Sequence, residues 1–447
     1  MYTGNIIEGD SNLTGARELW KASISNNQTN EWLAADADVF MHQALSTPCL
    51  DVLTECDGIY ITNLQGKKYM DFHGNAVHQV GYRNPFVIEK MKEQLDILPF
   101  SPRRFTNLPS IELARKLCSL LPASLSRVLF APGGTSAVSM ALKLTRLATG
   151  KHKVISWWDS FHGASIDAIA AGGEKEFRAG LGPLVAGMER IPPPNQYRGL
   201  LQGKDDGVYA DYLEYVIEKE GDIGAFIAET IRSTDVQVAS PTFWQRVREI
   251  CTRNGVLLIL DEIPTAFGRT GRMFAFENFG IEPDILCLGK GLGAGIMPLA
   301  AMIARGDLNR FGDVSLGHFT HEKSPLAATA SLAMLEFIEK EKLLNKVRED
   351  GEWMKKRIWQ MHEKHELVGD VRGLGLLWGL ELVTDRKTKE PARKQSEEVL
   401  YYCLEQGLSF KVSQGNTLQL APPLIITRQQ LGEAMDIIEA GIAKVSH

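Results

Sequence analysis

Two adjacent carboxylates, Asp261 and Glu262, directly follow an apolar run at 256–260. The run predicts a buried strand, and an open α/β sheet binds its ligands just past the carboxyl ends of such strands. A partly desolvated carboxylate needs an opposite charge beside it, so it can hold a protonated ring nitrogen or a cation. The structural alternative is that Asp261 caps the next helix or pairs with Arg269. Both interpretations stay open on these residues alone.

Lys290 stands between two glycines at the end of a second apolar run, 284–288. A lysine at that place points into the expected ligand site, and a desolvated amine is a good nucleophile toward an aldehyde. A solvent-facing turn is the structural alternative. Gly289, Gly291 and Ala294 also match a loose dinucleotide-binding fingerprint. The sequence disfavours a dinucleotide site, because an apolar strand pattern follows the glycines where a helix would be needed.

A glycine-rich turn follows the apolar run 128–130 and leads into a helical pattern. Its residues Gly133, Gly134, Thr135 and Ser136 leave backbone N–H groups and hydroxyls available at a helix N-terminus. Such a turn is a good cradle for a phosphate. An ordinary capped turn is the alternative.

An aromatic residue, Phe161, follows the apolar run 154–157 and precedes His162 and Gly163. Its ring can stack on a flat cofactor, although an aromatic side chain at such a place is also common in protein cores. A phosphate cradle, a carboxylate for a ring nitrogen, an aldehyde-binding lysine and a stacking ring are together what pyridoxal phosphate requires. We therefore expect pyridoxal 5'-phosphate as the cofactor.

Alternating strand and helix patterns position these residues, and such alternation is typical of a mostly parallel sheet. Strands are predicted at 128–130, 154–157, 225–228, 256–260, 284–288 and 299–303. Helical spacing of apolar residues predicts helices at 137–147, 209–217 and 243–251. The sequence therefore predicts an α/β fold with one large, doubly wound sheet domain.

The two flanks of this block predict a second, smaller unit. Before it, 58–66 and 69–72 form a hairpin pattern; after it come a long helical stretch at 325–365 and strand patterns at 376–383 and 417–420. We expect these flanks to pack together as an α+β domain built from both chain ends. The expected boundaries are 1–75 for the N-terminal segment and part of the small domain, 76–330 for the large cofactor-binding domain, and 331–447 for the C-terminal small domain.

Composition excludes several classes of function. The 447 residues include 49 Lys and Arg against 55 Asp and Glu, a formal net charge of −6, and the absence of basic runs disfavours nucleic-acid and membrane partners. The six cysteines lack the spacing of a zinc or redox site, so we expect reduced thiols, no metal and a cytoplasmic location. Residues 1–20 do not have the apolar run of a signal peptide, and the apolar stretch 291–304 is too short to span a bilayer.

The motifs together resemble the class III aminotransferase family of fold-type I pyridoxal-phosphate enzymes. The resemblance covers nearly the whole chain and rests on Gly58-Ile-Tyr-Ile, Tyr69-Met-Asp-Phe, Gly133-Gly-Thr, Phe161-His-Gly, Asp261-Glu-Ile-Pro-Thr-Ala-Phe-Gly-Arg-Thr-Gly271, Gly289-Lys-Gly, Phe319-Thr320 and Ala421-Pro-Pro-Leu424. It implies catalytic roles for Lys290, which would bind the cofactor aldehyde, and for Asp261, which would pair with the ring nitrogen. It further implies cofactor contacts from Phe161 and Ile263 on the ring faces, from Gly134 and Thr135 on the phosphate, and from Glu229. Thr320 would reach the phosphate of the neighbouring subunit, so a homodimer with shared active sites is implied.

One departure from the family pattern bears on the substrate. Relatives that act on α-amino or α-keto acids typically carry an arginine two residues before the Ala-Pro-Pro stretch, where its fork pairs with the substrate carboxylate. In this chain that position is Gln419. By contrast, Arg103 and Arg104 lie in a segment which in relatives approaches the substrate, and two guanidinium groups suit a phosphonate or a phosphate. Surface or subunit-interface arginines are the alternative.

This pattern looks most like family members that act as lyases on small phospho- or phosphono-amines. We therefore expect a lyase that removes a proton and the adjacent hydroxyl from a small phosphonate amine and releases ammonia. Its substrate residues would be Arg103, Arg104 and Gln419. An ω-amine aminotransferase that uses a keto acid is the alternative, and a non-catalytic cofactor-binding or partner-binding protein is the least favoured interpretation.

Overall fold

A computed structural model describes residues 12–43, 49–201 and 205–446. Within these ranges the helices are α1 (Ala16–Ile24), α2 (Asn27–Val39), α3 (Pro85–Ile97), α4 (Leu108–Leu120), α5 (Gly134–Thr149), α6 (Ile166–Ala171), α7 (Gly207–Glu220), α8 (Pro241–Arg253), α9 (Pro325–Lys340), α10 (Leu343–Lys364), α11 (Arg393–Glu405) and α12 (Arg428–Val445). The strands are β1 (Leu53–Asp57), β2 (Tyr60–Asn63), β3 (Lys68–Asp71), β4 (Leu125–Ala131), β5 (Lys153–Trp157), β6 (Met188–Ile191), β7 (Ile223–Glu229), β8 (Leu257–Asp261), β9 (Ile285–Leu288), β10 (Ala300–Arg305), β11 (Val368–Leu374), β12 (Leu377–Asp385), β13 (Glu390–Pro391), β14 (Leu408–Ser409), β15 (Lys411–Ser413) and β16 (Thr417–Leu420). Residues 1–11 of the stretch expected not to be a signal peptide lie outside the described residues.

The largest sheet has seven strands in the order β4-β10-β9-β8-β7-β5-β6. Its strands β9, β8, β7, β5 and β6 run parallel, whereas β10 is antiparallel to both of its neighbours. Along β8, Leu258 and Leu260 pack into one apolar cluster, and Leu257 and Ile259 pack into another. Because successive strand residues point to opposite faces, the sheet is covered on both sides. The predicted α/β fold with a mostly parallel, doubly wound sheet is confirmed.

The local predictions agree with the structure at most positions. Each of the six strands predicted for the central block is present, and no end differs by more than three residues. The stretch 325–365, expected to be helical throughout, is instead two helices, α9 and α10. The break falls at Lys342, whose φ of +52° lies in the left-handed region that a helix cannot contain. No glycine or proline marks this break, so the helical spacing alone could not reveal it.

Two smaller sheets are built from the flanks. In the four-stranded sheet β1-β2-β3-β14, Leu408 and Ser409 of β14 pair in parallel with Met70 and Asp71 of β3. A second sheet contains β11, β12, β16 and β15, with β13 paired to β12. The C-terminal flank thus completes a sheet that begins near the N-terminus, while the boundaries at 75 and 330 stay predictions. Among the described residues, no helix is both long and apolar enough to cross a membrane.

Candidate active site

A cavity of about 350 Å³ opens at the carboxyl ends of the parallel strands. Most of the residues singled out from sequence line it. From the central sheet and its loops come Gly134, Thr135, Phe161, Glu229, Asp261 and Ile263, and Lys290 and Gln419 complete the set. These eight residues are spread over some 290 positions of the chain, so the sheet topology is what brings them together.

Three of the expected site residues lie elsewhere. Arg103, Arg104 and Thr320 are exposed and are not among the residues that line this cavity. Their roles toward substrate and cofactor therefore stay predictions. A larger cavity, of about 550 Å³, lies at the opposite ends of the strands, where Arg248 and Arg305 both form ion pairs with Asp284. None of the predicted site residues lines that second cavity.

Asp261 ends β8 with only 2% of its surface exposed. Its Oδ1 accepts a hydrogen bond from the Ile263 N–H at 3.0 Å, and its Oδ2 lies 2.8 Å from Nδ1 of the buried His162. Burial alone would lower the pKa of His162, but the hydrogen bond and the charge of Asp261 raise it overall. The pair therefore favours the protonated form of His162. The Asp261 carboxylate also lines the cavity, where it can contact a second positively charged group.

The alternative pairing of Asp261 with Arg269 is wrong. The Arg269 guanidinium is buried, and its Nη1 donates to the backbone carbonyls of Leu376 and Pro422. Asp261 does stabilise the turn that follows β8, through the Ile263 N–H. One carboxylate oxygen thus serves local structure while the other contacts His162.

Glu229 lies directly beside Asp261 in the register of β7 and β8. Its two carboxylate oxygens accept hydrogen bonds from the backbone N–H groups of Phe161, at 3.1 Å, and Ser233, at 2.9 Å. Burial raises the pKa of Glu229, an effect that the nearby His162 opposes. Glu229 therefore positions the backbone of two cavity-lining segments.

The expected phosphate cradle is the start of α5. Gly133 is the N-cap, and no side chain caps this end of the helix, so backbone N–H groups at the N-terminus are available to an anion. Gly163, whose φ is +128°, packs against Thr135 so closely that an added Cβ would lie 2.9 Å from the Thr135 Cα. Only glycine fits there without moving the first turn of α5.

Lys290 follows β9 and begins a short 3₁₀ turn, Lys290–Gly293. Its φ of +45° is in the left-handed region, an uncommon conformation for a residue with a side chain and one that concentrates at functional sites. The side chain is exposed within the cavity of the single chain. After the turn the chain enters β10, so the helix that a dinucleotide fingerprint needs is not present among the described residues here.

Apolar side chains form part of the cavity wall between these polar groups. Phe161 packs against Phe177 with ring centroids 4.4 Å apart, and both line the cavity. Ile263 lies close to the helix start, because a Cβ added to Gly134 would be 2.6 Å from the Ile263 Cδ1. A flat ring between Phe161 and Ile263 stays a prediction.

The cavity contains titratable groups that sequence reasoning missed. His162 could have been found, since it is part of the motif that contains Phe161. Glu174, in the loop after α6, and Lys411, on β15, follow none of the apolar runs that marked the other residues. Burial, together with the charge of Glu229, raises the pKa of Glu174 to about 7, while Lys411 has the opposite effect.

A model of the family described as "Aminotransferase class-III" matches residues 42–442. The chain belongs to the class III aminotransferase family. It is 56% identical to the (R)-1-hydroxy-2-aminoethylphosphonate ammonia-lyase of Vibrio splendidus, over 98% of this chain and 95% of that protein. It is 34% identical to a leucine/methionine racemase of Thermococcus litoralis, over 86% of this chain and 89% of that one. Family membership alone therefore leaves the type of reaction open.

Solved structures agree with the fold. A taurine:2-oxoglutarate aminotransferase from Bifidobacterium kashiwanohense, in complex with PLP and glutamate, superposes with a TM-score of 0.89. It is 27% identical in sequence, over 95% of this chain and 99% of that one. The fold is thus shared with a pyridoxal-phosphate enzyme.

Proposed function

We propose that this protein is a pyridoxal-phosphate-dependent ammonia-lyase that converts (R)-1-hydroxy-2-aminoethylphosphonate to phosphonoacetaldehyde and ammonia. The observation that carries this proposal is the 56% identity, over nearly the full length, to a relative with that activity. The other two relatives described above are far less similar. Gln419, at the position where related aminotransferases carry an arginine, also argues against ordinary carboxylate recognition.

The residues of the cavity fit pyridoxal phosphate. The uncapped start of α5, with Gly134 and Thr135, suits the phosphate, and Asp261 offers a buried carboxylate to the ring nitrogen. Phe161 and Ile263 supply apolar surface, and the Lys290 amine is the nucleophile that meets the aldehyde. When bound, the cofactor supplies an electron sink for the carbanion formed beside the substrate amine.

In this proposal the amine of Lys290 acts as the general base. It takes a proton from the amine-bearing carbon of the substrate, and the C–O bond at the neighbouring carbon breaks, so that water is lost and a C=C bond forms. The released enamine then adds water and loses ammonia, which leaves phosphonoacetaldehyde. The water lost in the first stage is regained in the second, so the overall reaction needs no co-reactant.

One incubation tests the reaction. The holoenzyme is mixed with the hydroxyaminoethylphosphonate in the absence of any keto acid, and ammonia and aldehyde are measured. Release of many equivalents of ammonia per active site supports the lyase. A reaction that stops after one equivalent and resumes on addition of pyruvate would instead establish an aminotransferase.

The role of Lys290 has an independent readout. Borohydride reduction should attach the cofactor covalently to Lys290, which peptide mass spectrometry locates. The Lys290→Ala variant should bind the cofactor without this attachment and release no ammonia. A label on a different lysine would contradict the assignment.

We further propose a homodimer in which each active site uses residues of both copies. Arg103, Arg104 and Thr320 are exposed and lie outside the cavity of their own chain, and the arginines are flanked by the exposed apolar side chains of Phe105 and Leu108. Such a surface is typical of an interface between subunits. Sedimentation equilibrium measures the oligomeric state.

Mixing two defective variants, assayed at a substrate concentration well below the raised KM of the arginine variant, tests the shared sites. Lys290→Ala lacks the lysine, and a double Arg103→Ala, Arg104→Ala variant lacks the arginines. If the arginines act across the interface, mixed dimers contain one intact site and recover up to about half of the activity. If they act within their own chain, both sites of the mixed dimer stay defective.

A cytoplasmic location is also proposed, because all six cysteines are free thiols, and cell fractionation tests it.

A further inference from the structure

Part of the cavity wall is formed by β15 and β16. These strands are antiparallel, and Lys411 of β15 lies directly opposite Gln419 of β16. Side chains directly opposite each other in an antiparallel pair share a face of the sheet, with Cβ atoms about 4.5–5.5 Å apart. Both residues line the cavity. Lys411 is therefore the direct cross-strand neighbour of the position that holds an arginine in related aminotransferases.

Gln419 is already engaged in the protein. Its Nε2 donates to the Ser233 backbone carbonyl at 2.6 Å and lies 3.2 Å from the Ser233 Oγ. The side chain is uncharged and only 6% of the residue is exposed. An anionic substrate group therefore needs its positive partner from another residue of this wall, and Lys411 is positioned to provide it.

The surroundings of Lys411 favour an anion. Ser233 and Thr234 line the same cavity with hydroxyl groups. Arg269 lines it as well, fully buried, and its Nε and Nη2 have no hydrogen-bond partner among the described residues. A buried cation left with unused donors favours a bound anion nearby.

The two cations lie along the same stretch of chain. Arg269 contacts the Pro422 carbonyl, and Pro422 is three residues beyond Gln419. Three residues of chain span at most about 11 Å, so the two ends of the 419–422 stretch lie close to each other. Lys411 and Arg269 thus lie at the two ends of the 419–422 stretch, and both contribute positive potential to it.

The charge of Lys411 also acts on Glu174, the buried carboxyl nearby. Burial raises the pKa of Glu174 to about 7, so a large share of that carboxyl is protonated near neutral pH. Lys411 and Glu174 line the same cavity and interact electrostatically.

We propose, on the basis of the proposed function, that Lys411 binds the phosphonate group of the substrate in place of the arginine that relatives carry at the Gln419 position. A planar arginine fork matches a planar carboxylate, whereas a compact ammonium with three donors suits a tetrahedral group with three oxygens. Lys411 therefore determines which acidic group the enzyme accepts, and it takes no part in the proton transfer at Lys290.

The test compares Lys411→Met, Lys411→Arg and the control Lys387→Met as holoenzymes. Methionine keeps the length and apolar stem of lysine but removes its charge, and Lys387 is exposed and outside the cavity. For each variant, KM and kcat are measured for ammonia release. The inhibition constant of methylphosphonate, which has no amine and so reports on the anion subsite alone, is measured as well.

Loss of one charge-assisted hydrogen bond predicts that Lys411→Met raises both KM and the inhibition constant by about 10- to 150-fold. The absorbance of the bound cofactor and the melting temperature should stay close to those of the wild type, which excludes misfolding. Lys411→Arg should recover most of the affinity, and Lys387→Met should match the wild type. If KM and the inhibition constant are unchanged in Lys411→Met, Lys411 does not bind the phosphonate group. This conclusion holds even if Arg103 and Arg104 prove to be needed for substrate binding.

A failure of the proposed function is distinguishable from a failure of this inference. If the wild type releases no ammonia from the hydroxyaminoethylphosphonate, the function is wrong. The binding of methylphosphonate is then measured from the absorbance change of the bound cofactor. Binding that Lys411→Met weakens still supports the anion subsite, whereas no binding to the wild type refutes it.

Discussion

Replacing Gly163 with alanine should weaken cofactor binding through the phosphate cradle. The Cβ of an alanine at this position would lie 2.3 Å from the Thr135 Oγ1, 2.8 Å from its Cβ and 2.9 Å from its Cα. Carbon atoms in contact are normally about 3.5–4.0 Å apart. A rotation of the Thr135 side chain relieves the contact with Oγ1 but not the one with Cα, which belongs to the first turn of α5. Relief of that contact needs a backbone shift, and we expect it in the first turn of α5, which forms the cradle.

The magnitude has two parts. The φ of +128° at Gly163 is strained for alanine and costs about 1–3 kcal/mol of folding free energy. The overlap with Thr135 costs about 1–3 kcal/mol more, as for other overpacked sites. If the protein relieves the overlap by displacing Thr135 from its position in the cradle, that second part appears as a loss of about 5- to 140-fold in cofactor affinity.

Gly150 provides the matched control, because it ends the same helix. Its φ is +68°, and an added Cβ would meet nothing within 4 Å. Gly150→Ala should therefore cost about 1–2 kcal/mol of stability from left-handed backbone strain alone. Its affinity for the cofactor should equal that of the wild type.

Each protein is prepared without cofactor and titrated with pyridoxal phosphate while the absorbance of the bound form is followed. Urea unfolding of the same preparations measures stability. The expected result is a loss of stability in both variants and a loss of affinity in Gly163→Ala only. If Gly163→Ala loses stability but binds the cofactor as tightly as the wild type, the overlap does not displace a phosphate cradle at Thr135 and the start of α5, and the reasoning is refuted.

Three further predictions follow from the charges of the site. Asp261 raises the folded-state pKa of His162. The stability that the protonated pair provides is therefore present below pH 6.5 and is lost as the pH rises through the folded-state pKa. Urea unfolding between pH 6 and 9 should show this loss of stability in the wild type but not in Asp261→Asn. The pKa of Glu174 is raised from 4.5 to about 7, so this carboxyl contributes a fall in stability of roughly 3 kcal/mol as the pH rises through that interval, and Glu174→Gln should remove that contribution from the pH dependence of urea unfolding. Alanine at both Arg103 and Arg104 should raise KM for the phosphonate strongly with little change in kcat; unchanged steady-state kinetics would remove them as substrate residues.

Much of the architecture could be predicted from local patterns. The apolar runs that became β5, β7 and β8 are buried along almost their whole length, and burial on both faces is what a continuous apolar run indicates. The break between α9 and α10 was missed because Lys342 adopts a left-handed conformation without a glycine or proline to signal it. Tertiary packing decides such a break, and helical spacing continues across it.

Some functional residues could likewise be predicted from local patterns, whereas their contacts depend on the fold. Asp261 and Lys290 were recognisable because each directly follows a buried strand, and the carboxyl ends of parallel strands meet at one edge of the sheet. His162 contacts Asp261 across 99 residues, so the pair depends on the order in which β5, β7 and β8 lie in the sheet. The exposed positions of Arg103 and Arg104 likewise depend on how the chain folds around them.

Short-range patterns of apolar, glycine and charged residues are sufficient to predict the class of fold, the family and the set of residues suited to pyridoxal phosphate. Which groups face one another inside the cavity depends instead on how the strands pack. Lys411 lies opposite Gln419 because of the register of β15 and β16, and a shift of one residue would turn its side chain to the other face. Register and strand order are set by packing over long distances in the chain, and for that reason the partner of a charged side chain cannot be deduced from its neighbours in sequence.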